Sequence, residues 1–341
     1  MITKNKLAEI RDAFVNSARP LIFFDDDPDG LCSFLQFYKL NPEAKGVIYK
    51  VAGPLDAQFL KKVDEHNPDM ILILDVAVVD QSFLDKCHNV YWLDHHAPLK
   101  RSNVKYYNPM IDSKGKDNRP VSYWSHLITK SSIWLAMTGC VGDWFLPDDL
   151  RPEFSQTYED LLPTEIKTPE EALFNSGIGS LANALSFVLK GTTKDSMTNT
   201  KVMTRIKEPY EILQQSSEQG RFIWKKYLKV KKIYDNLKSA IKVTDDKLIV
   251  FTYSENRTSL TSDLSNEILF ENPDKFVIIA RIGGSEMKCS LRSSKYKVLE
   301  ILNQVLKEVN GYGGGHLHAC GANVKIEDFD RFLDLIRMNL N

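Results

Sequence analysis

The first 145 residues alternate short apolar runs with stretches of helical periodicity. Four nearly continuous apolar runs predict strands: "PLIFF" (20–24), "KGVIYKV" (45–51), "MILILDVAVV" (70–79) and "NVYWLD" (89–94). Continuous apolarity, rather than strict alternation, is typical of strands that are covered on both faces of a parallel sheet. Helical segments at 31–40 and 54–68 separate these runs, so the order β-α-β predicts an open, doubly wound sheet.

The middle of the chain is mainly helical in pattern. An apolar helix is predicted at 129–145, ending near Asp143, while 169–191 favours helix and 191–200 favours a loop. A long helix is predicted from about 217 to about 240. One apolar seam follows this helix, with lysines around it: Ile223, Tyr227, Val230, Tyr234 and Leu237, flanked by Lys225, Lys226, Lys229, Lys231 and Lys232.

The pattern changes after Val243 and predicts a second α/β domain. Its strands are expected at 247–253, 275–282, 287–293 and 322–326, and its helices near 258–270, 297–309 and 327–340. The predicted fold class is therefore α/β, with a mainly parallel, doubly wound N-terminal sheet joined by a long helix to a smaller α/β domain. The predicted bounds are 1–215 for the first domain, 216–243 for the connector helix and 244–341 for the second domain.

Composition narrows the functional classes. The chain has 341 residues and a formal charge of −1, so it is no general polycation and would bind a polyanion only through local groups or metals. Five cysteines are scattered without a CxxC pair, which favours a reducing compartment. The N-terminal sequence is charged and no apolar run approaches the roughly 20 residues of a membrane span. We expect a cytoplasmic protein without a membrane partner.

An acidic cluster follows the first predicted strand. In "FFDDDPDGLCS", Asp25, Asp26, Asp27 and Asp29 lie within five residues and Gly30 follows them. Clustered carboxylates repel one another unless cations lie among them. Asp and Gly also favour turns and helix caps, so an acidic cap is an equally good explanation of this segment taken alone.

Further acids and imidazoles follow the other apolar runs. Asp75 lies in a run where an unpaired carboxylate is costly, although it could instead cap the next helix. The fourth strand ends in Asp94, His95 and His96, and two adjacent histidines are harder to explain as core residues than one. Asp143 follows an apolar helix. The carboxyl ends of parallel strands share one edge of a sheet, where ligands collect, so we expect these groups to meet there.

Such a group of side chains predicts a metal site. Carboxylates with an imidazole suit Mn²⁺, with Mg²⁺ or Co²⁺ as competitors, and none of the candidate ligand residues is a cysteine. The number of carboxylates is sufficient for two ions that share a bridging aspartate. Two ions about 3.5–4 Å apart are the usual apparatus for phosphoryl hydrolysis.

The order of these motifs resembles the DHH phosphoesterase superfamily. The N-terminal motifs are "DDDPDG", Asp75, "DHH" and Asp143 in "GCVGDW". The C-terminal "SLRSS" (290–294) and "GYGGGHLHACGANV" (311–324) are similar to the DHH-associated domain of the RecJ and nanoRNase branch. The local matches "YYNP" (106–109) and "LAMTGCVGDWFLP" (135–147) favour RecJ-like exonucleases.

The resemblance implies roles for single residues. One ion would be held by Asp25, Asp27 and Asp75, and the other by Asp29, Asp75, His95 and Asp143. His96 would face the scissile phosphate and Asp94 would orient the ligands, during in-line hydrolysis with two metal ions. Many relatives have His at the position of Asp25, and Asp26 is an alternative candidate for that role.

The resemblance also implies a substrate site in the second domain. Glycines 313–315 would leave backbone N–H groups open to a phosphate, His316 would donate to it, and Arg292 would form a two-nitrogen fork. The expected binding residues are Arg292, Ser293, Gly313, Gly314, Gly315 and His316.

The function that follows is a Mn²⁺/Mg²⁺-dependent exonuclease on single-stranded DNA or RNA, with replication or repair proteins as candidate partners. The alternative enzyme acts on short oligonucleotides, pAp or cyclic dinucleotide products. A catalytically inactive scaffold is disfavoured, because every motif retains residues that can bind metal. The lysines of the connector helix could follow a nucleic-acid backbone, but a solvated helix face explains them better. Polarity, sugar preference and oligomeric state are left open.

Overall fold

The computed structural model describes residues 2–51, 53–254 and 258–340. The chain divides into two compact units, Met1–Tyr227 and Leu228–Asn341. Across the described residues, every helix is too short or too polar to serve as a membrane span.

The first unit contains one sheet and most of the helices. Its strands are β1 (Pro20–Asp25), β2 (Lys45–Tyr49), β3 (Met70–Leu74), β4 (Val90–Leu93) and β5 (Lys105–Tyr107). The first six helices in chain order are α1 (Lys4–Val15), α2 (Pro28–Leu40), α3 (Leu60–His66), α4 (Gln81–Leu84), α5 (Pro109–Ser113) and α6 (Val121–Thr129). The following helices are α7 (Ile133–Gly142), α8 (Arg151–Tyr158), α9 (Pro169–Asn175), α10 (Gly177–Val188), α11 (Thr193–Met203) and α12 (Tyr210–Leu213). Helix α13 (Glu218–Ala240) begins in the first unit and ends in the second.

The first sheet has the order β2-β1-β3-β4-β5, and every pairing is parallel. Alternate residues of β1 pack on opposite faces of the sheet. Leu21 and Phe23 join a core with side chains of β3 and β4, while Phe24 stacks on Phe34 of α2 with ring centroids 4.5 Å apart. Apolar residues are therefore needed at every position of the strand, and the prediction of a parallel α/β sheet is confirmed.

The structure corrects several of the predicted elements. Strand β5 was not predicted, because three residues give too short a pattern. The helix expected at 129–145 is shorter, since Lys130 adopts a left-handed conformation that ends α6 before α7 begins. The loop expected at 191–200 is wrong. Thr192 caps α11 by accepting from Asp195 N at 3.1 Å, so this polar segment is helical.

The long helix α13 was predicted correctly, together with its apolar seam. Ile223, Tyr227 and Tyr234 are buried, and Val230 and Leu237 are partly buried. Since these positions recur every three or four residues, they line one side of the helix.

The second unit contains a mixed sheet of the order β6-β7-β8-β10-β9. Only β6 and β7 pair in parallel; the other pairs are antiparallel. Its strands are β6 (Leu248–Tyr253), β7 (Phe276–Gly283), β8 (Glu286–Arg292), β9 (Gly311–His316) and β10 (Ala319–Lys325). Its helices are α14 (Thr261–Glu271), α15 (Val298–Val305) and α16 (Phe329–Asn339), and α15 and α16 supply core residues against the sheet.

The glycine-rich segment, which was not predicted to be a strand, is the edge strand β9. A Cβ at Gly313 would lie 2.6 Å from the carbonyl oxygen of Gly321, and one at Gly315 would lie 2.4 Å from that of Ala319. Glycine is therefore required where β9 approaches β10 closely. A strand made largely of glycine has no apolar alternation, which is why its sequence does not predict a strand.

Helix α7 packs closely against α2 and α6 at Gly139, in its last turn. A Cβ added there would lie 2.5 Å from Ser122 Oγ and 3.1 Å from the Cβ of Cys32. Gly139→Ala should lower the free energy of unfolding by about 1–2 kcal/mol, because overpacking outweighs the better helix propensity of alanine. Urea denaturation measures the change. The control is Gly53→Ala, whose Cβ meets no atom within 4 Å, and equal effects of both substitutions would contradict this packing.

Candidate metal centre

Three adjacent parallel strands end at one edge of the first sheet. Strand β1 ends with Asp25, β3 is followed by Asp75, and β4 is followed by Asp94. Because β3 lies between β1 and β4, the residues after these strands are neighbours. The sequence-based expectation that these acids share one edge is confirmed.

Asp27 and Asp29 are positioned by the start of α2. The carboxylate of Asp27 caps this helix, accepting from Gly30 N at 2.9 Å. Asp29 is completely buried, and its two oxygens accept from the backbone N–H groups of Val121 and Ser122, each at 2.7 Å. These amides belong to the start of α6, where backbone N–H groups have no partner within the helix. Two helix N-termini therefore fix these two acids.

Asp75 has an unusual backbone conformation, with φ at +61°. Neighbouring groups of β4 hold it there. The N–H of Asp75 donates to the carbonyl oxygen of Leu93 at 3.0 Å, and the indole of Trp92 donates to the carbonyl oxygen of Val76 at 2.9 Å. Left-handed non-glycine residues are often found at functional sites. Here the conformation turns the chain at the end of β3.

His95 lies between Asp75 and Asp143. Its Nε2 is 3.4 Å from Asp75 Oδ1 and 3.5 Å from Asp143 Oδ2. Its Nδ1 lies 2.9 Å from the carbonyl oxygen of Asn118. A carbonyl oxygen can only accept, so Nδ1 carries a proton, and Nε2 of the neutral ring has its lone pair available toward the carboxylates. Asp143 is placed by the end of α7, where its N–H donates to the carbonyl oxygen of Gly139 at 3.0 Å.

The structure brings together the ligand atoms expected from the sequence. Each of three groups has ligand-type atoms within 4.8 Å of one another: Asp25, Asp27 and Asp75; Asp29, His95 and Asp143; and Asp75, His95 and His96. Asp75 belongs to two of these groups, and so does His95. The arrangement is therefore continuous, as a pair of sites with a shared carboxylate requires.

His96 is held by the buried carboxylate of Asp94. Asp94 Oδ1 accepts from His96 Nδ1 at 2.8 Å, while Oδ2 accepts from the hydroxyl of Tyr106 and from Asn108 Nδ2, both at 3.2 Å. Asn108 Nδ2 also donates to the carbonyl oxygen of His96 at 2.9 Å. Asp94 is completely buried, so these donors replace water around its charge. The bond at Nδ1 leaves Nε2 as the ring nitrogen available for another partner.

Burial and mutual repulsion change the pKa values of the acids. Burial, followed by the charge of Asp27, raises the pKa of Asp25 to about 8. Burial, followed by the charge of Asp29, raises the pKa of Asp27 to about 6. The same causes raise the pKa values of Asp75 and Asp143 well above the usual range. Without cations, this edge of the sheet therefore holds protons at neutral pH.

Asp25 and Asp26 were alternative candidates for one ligand position, and their surroundings differ. Asp25 lies with Asp27 and Asp75. Asp26 instead forms an ion pair with Lys50, whose Nζ is 2.9 Å from Oδ2. Lys50 also donates to the carbonyl oxygen of Leu189 and to Ser196 Oγ. The geometry therefore favours Asp25 as a ligand.

The expected substrate-binding residues lie in the second unit. Arg292 Nε donates to Asn266 Oδ1 at 2.8 Å, and Nη1 donates to the carbonyl oxygens of Leu291 and Cys320 at 2.9 and 3.0 Å. Nη2 alone has no hydrogen bond to the described part of the chain. The two-nitrogen fork expected at Arg292 is thus reduced to one nitrogen in this conformation.

The neighbouring residues differ in exposure. Ser293 is completely buried, and its hydroxyl donates to the carbonyl oxygen of Lys275 at 3.0 Å, which fits a supporting position. Gly313, Gly315 and His316 are exposed on β9, an edge strand that pairs on one side with β10. A Cβ at Gly314 would meet nothing within 4 Å, so this glycine faces open space.

Several residues around the centre were not identified from the sequence. The indole of Trp92 donates to the turn after β3, and Tyr106 and Asn108 donate to Asp94. The carbonyl oxygen of Asn118 accepts from the candidate ligand His95. The segment "YYNP" contains Tyr106 and Asn108, and its similarity to RecJ-like sequences is the signal that could have identified them. The part played by Asn118 could not have been found from residue type, because it acts through its backbone carbonyl.

The donor set fits divalent cations. The ligand-type atoms in the three groups are carboxylate oxygens and imidazole nitrogens, which suit Mn²⁺ or Mg²⁺. Among the described residues, Asp75 Oδ1 is buried and has no hydrogen-bond donor. An unpartnered buried carboxylate oxygen is costly, and a cation would satisfy it.

A family model described as the DHHA1 domain matches residues 232–341. No curated protein sequence matches the chain. RecJ from Thermus thermophilus in complex with Mn²⁺ has a similar structure, with a TM-score of 0.69 and 16% identity over 98% of this chain and 54% of RecJ. The same protein in complex with Mg²⁺ gives a TM-score of 0.60 and 14% identity over 98% of this chain and 51% of RecJ.

Two other structures are similar. An exonuclease RecJ bound to manganese has a TM-score of 0.59 and 15% identity over 99% of this chain and 94% of that protein. The DHH domain of a member of the s1p family of ribosomal proteins has a TM-score of 0.64 and 13% identity over 98% of this chain and 89% of that domain. This chain spans about half the length of Thermus RecJ. The chain therefore has a RecJ-like fold, and its residues 232–341 match the DHHA1 domain model.

Proposed function

We propose that the protein is a metal-dependent phosphodiesterase that hydrolyses single-stranded nucleic acid from an end, with Mn²⁺ or Mg²⁺ as cofactor. The observation that carries this proposal is the continuous arrangement of carboxylates and imidazoles around the unpartnered Asp75 Oδ1. The similarity to a structure described as exonuclease RecJ bound to manganese supports the same activity.

The ligand assignment combines the observed groups, and Asp75 is included in both sites because its Oδ1 also lies 3.4 Å from His95 Nε2. Asp25, Asp27 and Asp75 would hold one ion, and Asp29, Asp75, His95 and Asp143 the other. Divalent ions bound there supply an activated water and neutralise charge on the phosphodiester. The backbone amides at the start of α6 hold Asp29 in place, and the carbonyl of Asn118 directs the Nε2 lone pair of His95 toward the site.

His96 is assigned to the substrate phosphate. Its Nδ1 is fixed by Asp94, so Nε2 can donate to a phosphate oxygen when the ring is protonated. Asp94 thus sets the orientation of His96.

The second unit would bind another phosphate of the chain end. Arg292 Nη2 and the exposed glycines of β9 provide donors that suit a phosphate group. The formal charge of −1 leaves no general attraction for nucleic acid, so binding would depend on these local groups and on the metal ions.

We expect a ladder of shortened products when the protein and Mn²⁺ are incubated with end-labelled single strands of about 20 nucleotides. Comparing 5′- and 3′-labelled DNA and RNA gives the polarity and sugar preference. A dinucleotide is the parallel substrate. If only the dinucleotide is hydrolysed, the exonuclease proposal is wrong and the protein is an enzyme that acts on short oligonucleotides.

Two variants test whether the proposed centre is responsible for this activity. Asp75→Ala and His96→Ala should each lower the rate by more than about 100-fold, because each removes a group that would bind a metal ion or the phosphate. His88→Ala is the control, since this exposed histidine lies before β4 and should leave the rate unchanged. Full activity in either of the first two variants would refute the assignment.

The raised pKa values predict that the metal-free centre lowers the free energy of unfolding of the protein at high pH. Between pH 4 and the folded pKa of about 8 for Asp25, the native state retains protons that the unfolded chain has released. Stability from this centre therefore falls as the pH rises. Asp75→Asn should raise the unfolding free energy of the metal-free protein at pH 8 by more than about 1 kcal/mol, and by less at pH 5.

Thermal unfolding in the presence of EDTA measures the difference in stability between Asp75→Asn and the wild type. Added Mn²⁺ should make the wild type the more stable of the two, because it stabilises the wild type more than the variant. Asp274→Asn is the control, because this exposed acid lies outside the centre and should have little effect at either pH. A loss of stability in metal-free Asp75→Asn at pH 8 would contradict the repulsion inferred here.

A further inference from the structure

The segment 117–122 contacts two of the assigned metal ligands. The carbonyl oxygen of Asn118 lies 2.9 Å from His95 Nδ1. The N–H groups of Val121 and Ser122 donate to the carboxylate of Asp29 at 2.7 Å. A displacement of this segment would therefore alter a histidine and a carboxylate together.

Arg119 lies inside this segment and makes a dense set of contacts. Its Nε and Nη2 donate to the two carboxylate oxygens of Asp117 at 2.9 and 2.7 Å. The guanidinium carbon lies 4.5 Å from the ring centroid of Tyr123 and 4.6 Å from that of Trp124. The backbone carbonyl of Arg119 also accepts from the indole N–H of Trp124 at 3.1 Å. Both its side chain and its backbone are thereby fixed to α6.

The contacts of Arg119 extend to the segment that follows α7. Its Nη1 donates to the hydroxyl of Tyr123 at 2.6 Å, and that hydroxyl donates to Asp149 Oδ2 at 2.5 Å. Asp149 lies six residues beyond Asp143. Charge-assisted hydrogen bonds of this kind are stronger than neutral ones. The network therefore connects the segment 117–122 with Asp149, in the stretch of chain that follows the assigned ligand Asp143.

We propose that Arg119 is a positioning residue for the metal centre, which holds the Asn118 carbonyl against His95 and the α6 amides against Asp29. This inference rests on the proposed function, because it concerns the ligands assigned there. Arg119 itself has no contact with the assigned ligands among its hydrogen bonds to described residues. Its effect passes through the backbone at both sides of it.

The role needs an arginine. A planar guanidinium can bond both oxygens of Asp117 and lie over two aromatic rings, whereas an ammonium group is a compact point charge. Arg119→Ala should weaken Mn²⁺ binding about tenfold, the lower end of the effect of residues that orient metal ligands. Arg119→Lys should give an intermediate loss and serves as the second variant if the alanine protein does not fold.

Arg11 provides a matched control at the other end of α6. Its Nη1 donates to the carbonyl oxygens of Ile128 and Thr129 at 2.7 and 2.8 Å. Arg11→Ala therefore removes an arginine that stabilises the same helix without touching the segment 117–122. We expect it to lower thermal stability and to leave Mn²⁺ affinity at the wild-type value.

Two readouts separate positioning from a general loss of stability. Calorimetric titration with Mn²⁺ gives the affinity of each folded variant, and ethylguanidinium should restore the affinity of Arg119→Ala by occupying the vacated position. Nitrogen NMR of the metal-free protein reports which ring nitrogen of His95 carries the proton. The wild type should be protonated at Nδ1, and Arg119→Ala should show a mixture of both tautomers.

The outcomes distinguish this inference from the proposed function. Failure of the wild-type protein to bind Mn²⁺ would remove the proposed metal centre. Wild-type affinity and an unchanged His95 tautomer in a folded Arg119 variant would overturn the positioning role alone. Equal losses of affinity in Arg119→Ala and Arg11→Ala would also overturn it, because they would show an effect of α6 stability.

Discussion

Burial and mutual repulsion of five carboxylates are the main electrostatic constraint on the first unit. Asp25, Asp27, Asp29, Asp75 and Asp143 approach one another at a buried edge of the sheet, where burial raises the pKa values of four of them. A fold that concentrates like charges without cations loses stability, and functional sites commonly carry such a cost. Divalent cations bound among these acids would offset the repulsion.

The surrounding structure keeps these acids in place by backbone groups. Strand ends place Asp25 and Asp75, the start of α2 places Asp27, and α6 amides hold Asp29. The end of α7 places Asp143. Backbone donors are suited to this task, because they orient a carboxylate without adding a mobile cation that would compete with the metal ions. The helices around the sheet are thus part of the centre.

Much of this arrangement could be predicted from the sequence. Apolar strands that end in Asp or His predict a shared edge, since parallel strands all point their carboxyl ends the same way. The spacing within "DDDPDG" did not decide between Asp25 and Asp26, because the ion pair with Lys50 joins residues far apart in the sequence.

Other features were not predicted from the sequence. The carbonyl of Asn118 acts through a backbone atom that every residue has. Strand β9 depends on close approach to β10, which a run of glycines does not indicate. Helix α11 depends on a cap at Thr192 in a polar segment that resembles a loop. In the first two cases tertiary contact outweighs the local pattern, whereas the cap of α11 is local and is a weak signal beside the polar composition.

The binding of Mn²⁺ to the metal-free protein tests the central claim most directly. Isothermal titration calorimetry at pH 7 in buffers of different ionisation enthalpy gives both the stoichiometry and the protons released. We expect two Mn²⁺ ions per chain and a net release of protons, because Asp25 and Asp75 are protonated in the metal-free centre. Absence of binding, or binding without proton release, would contradict the account.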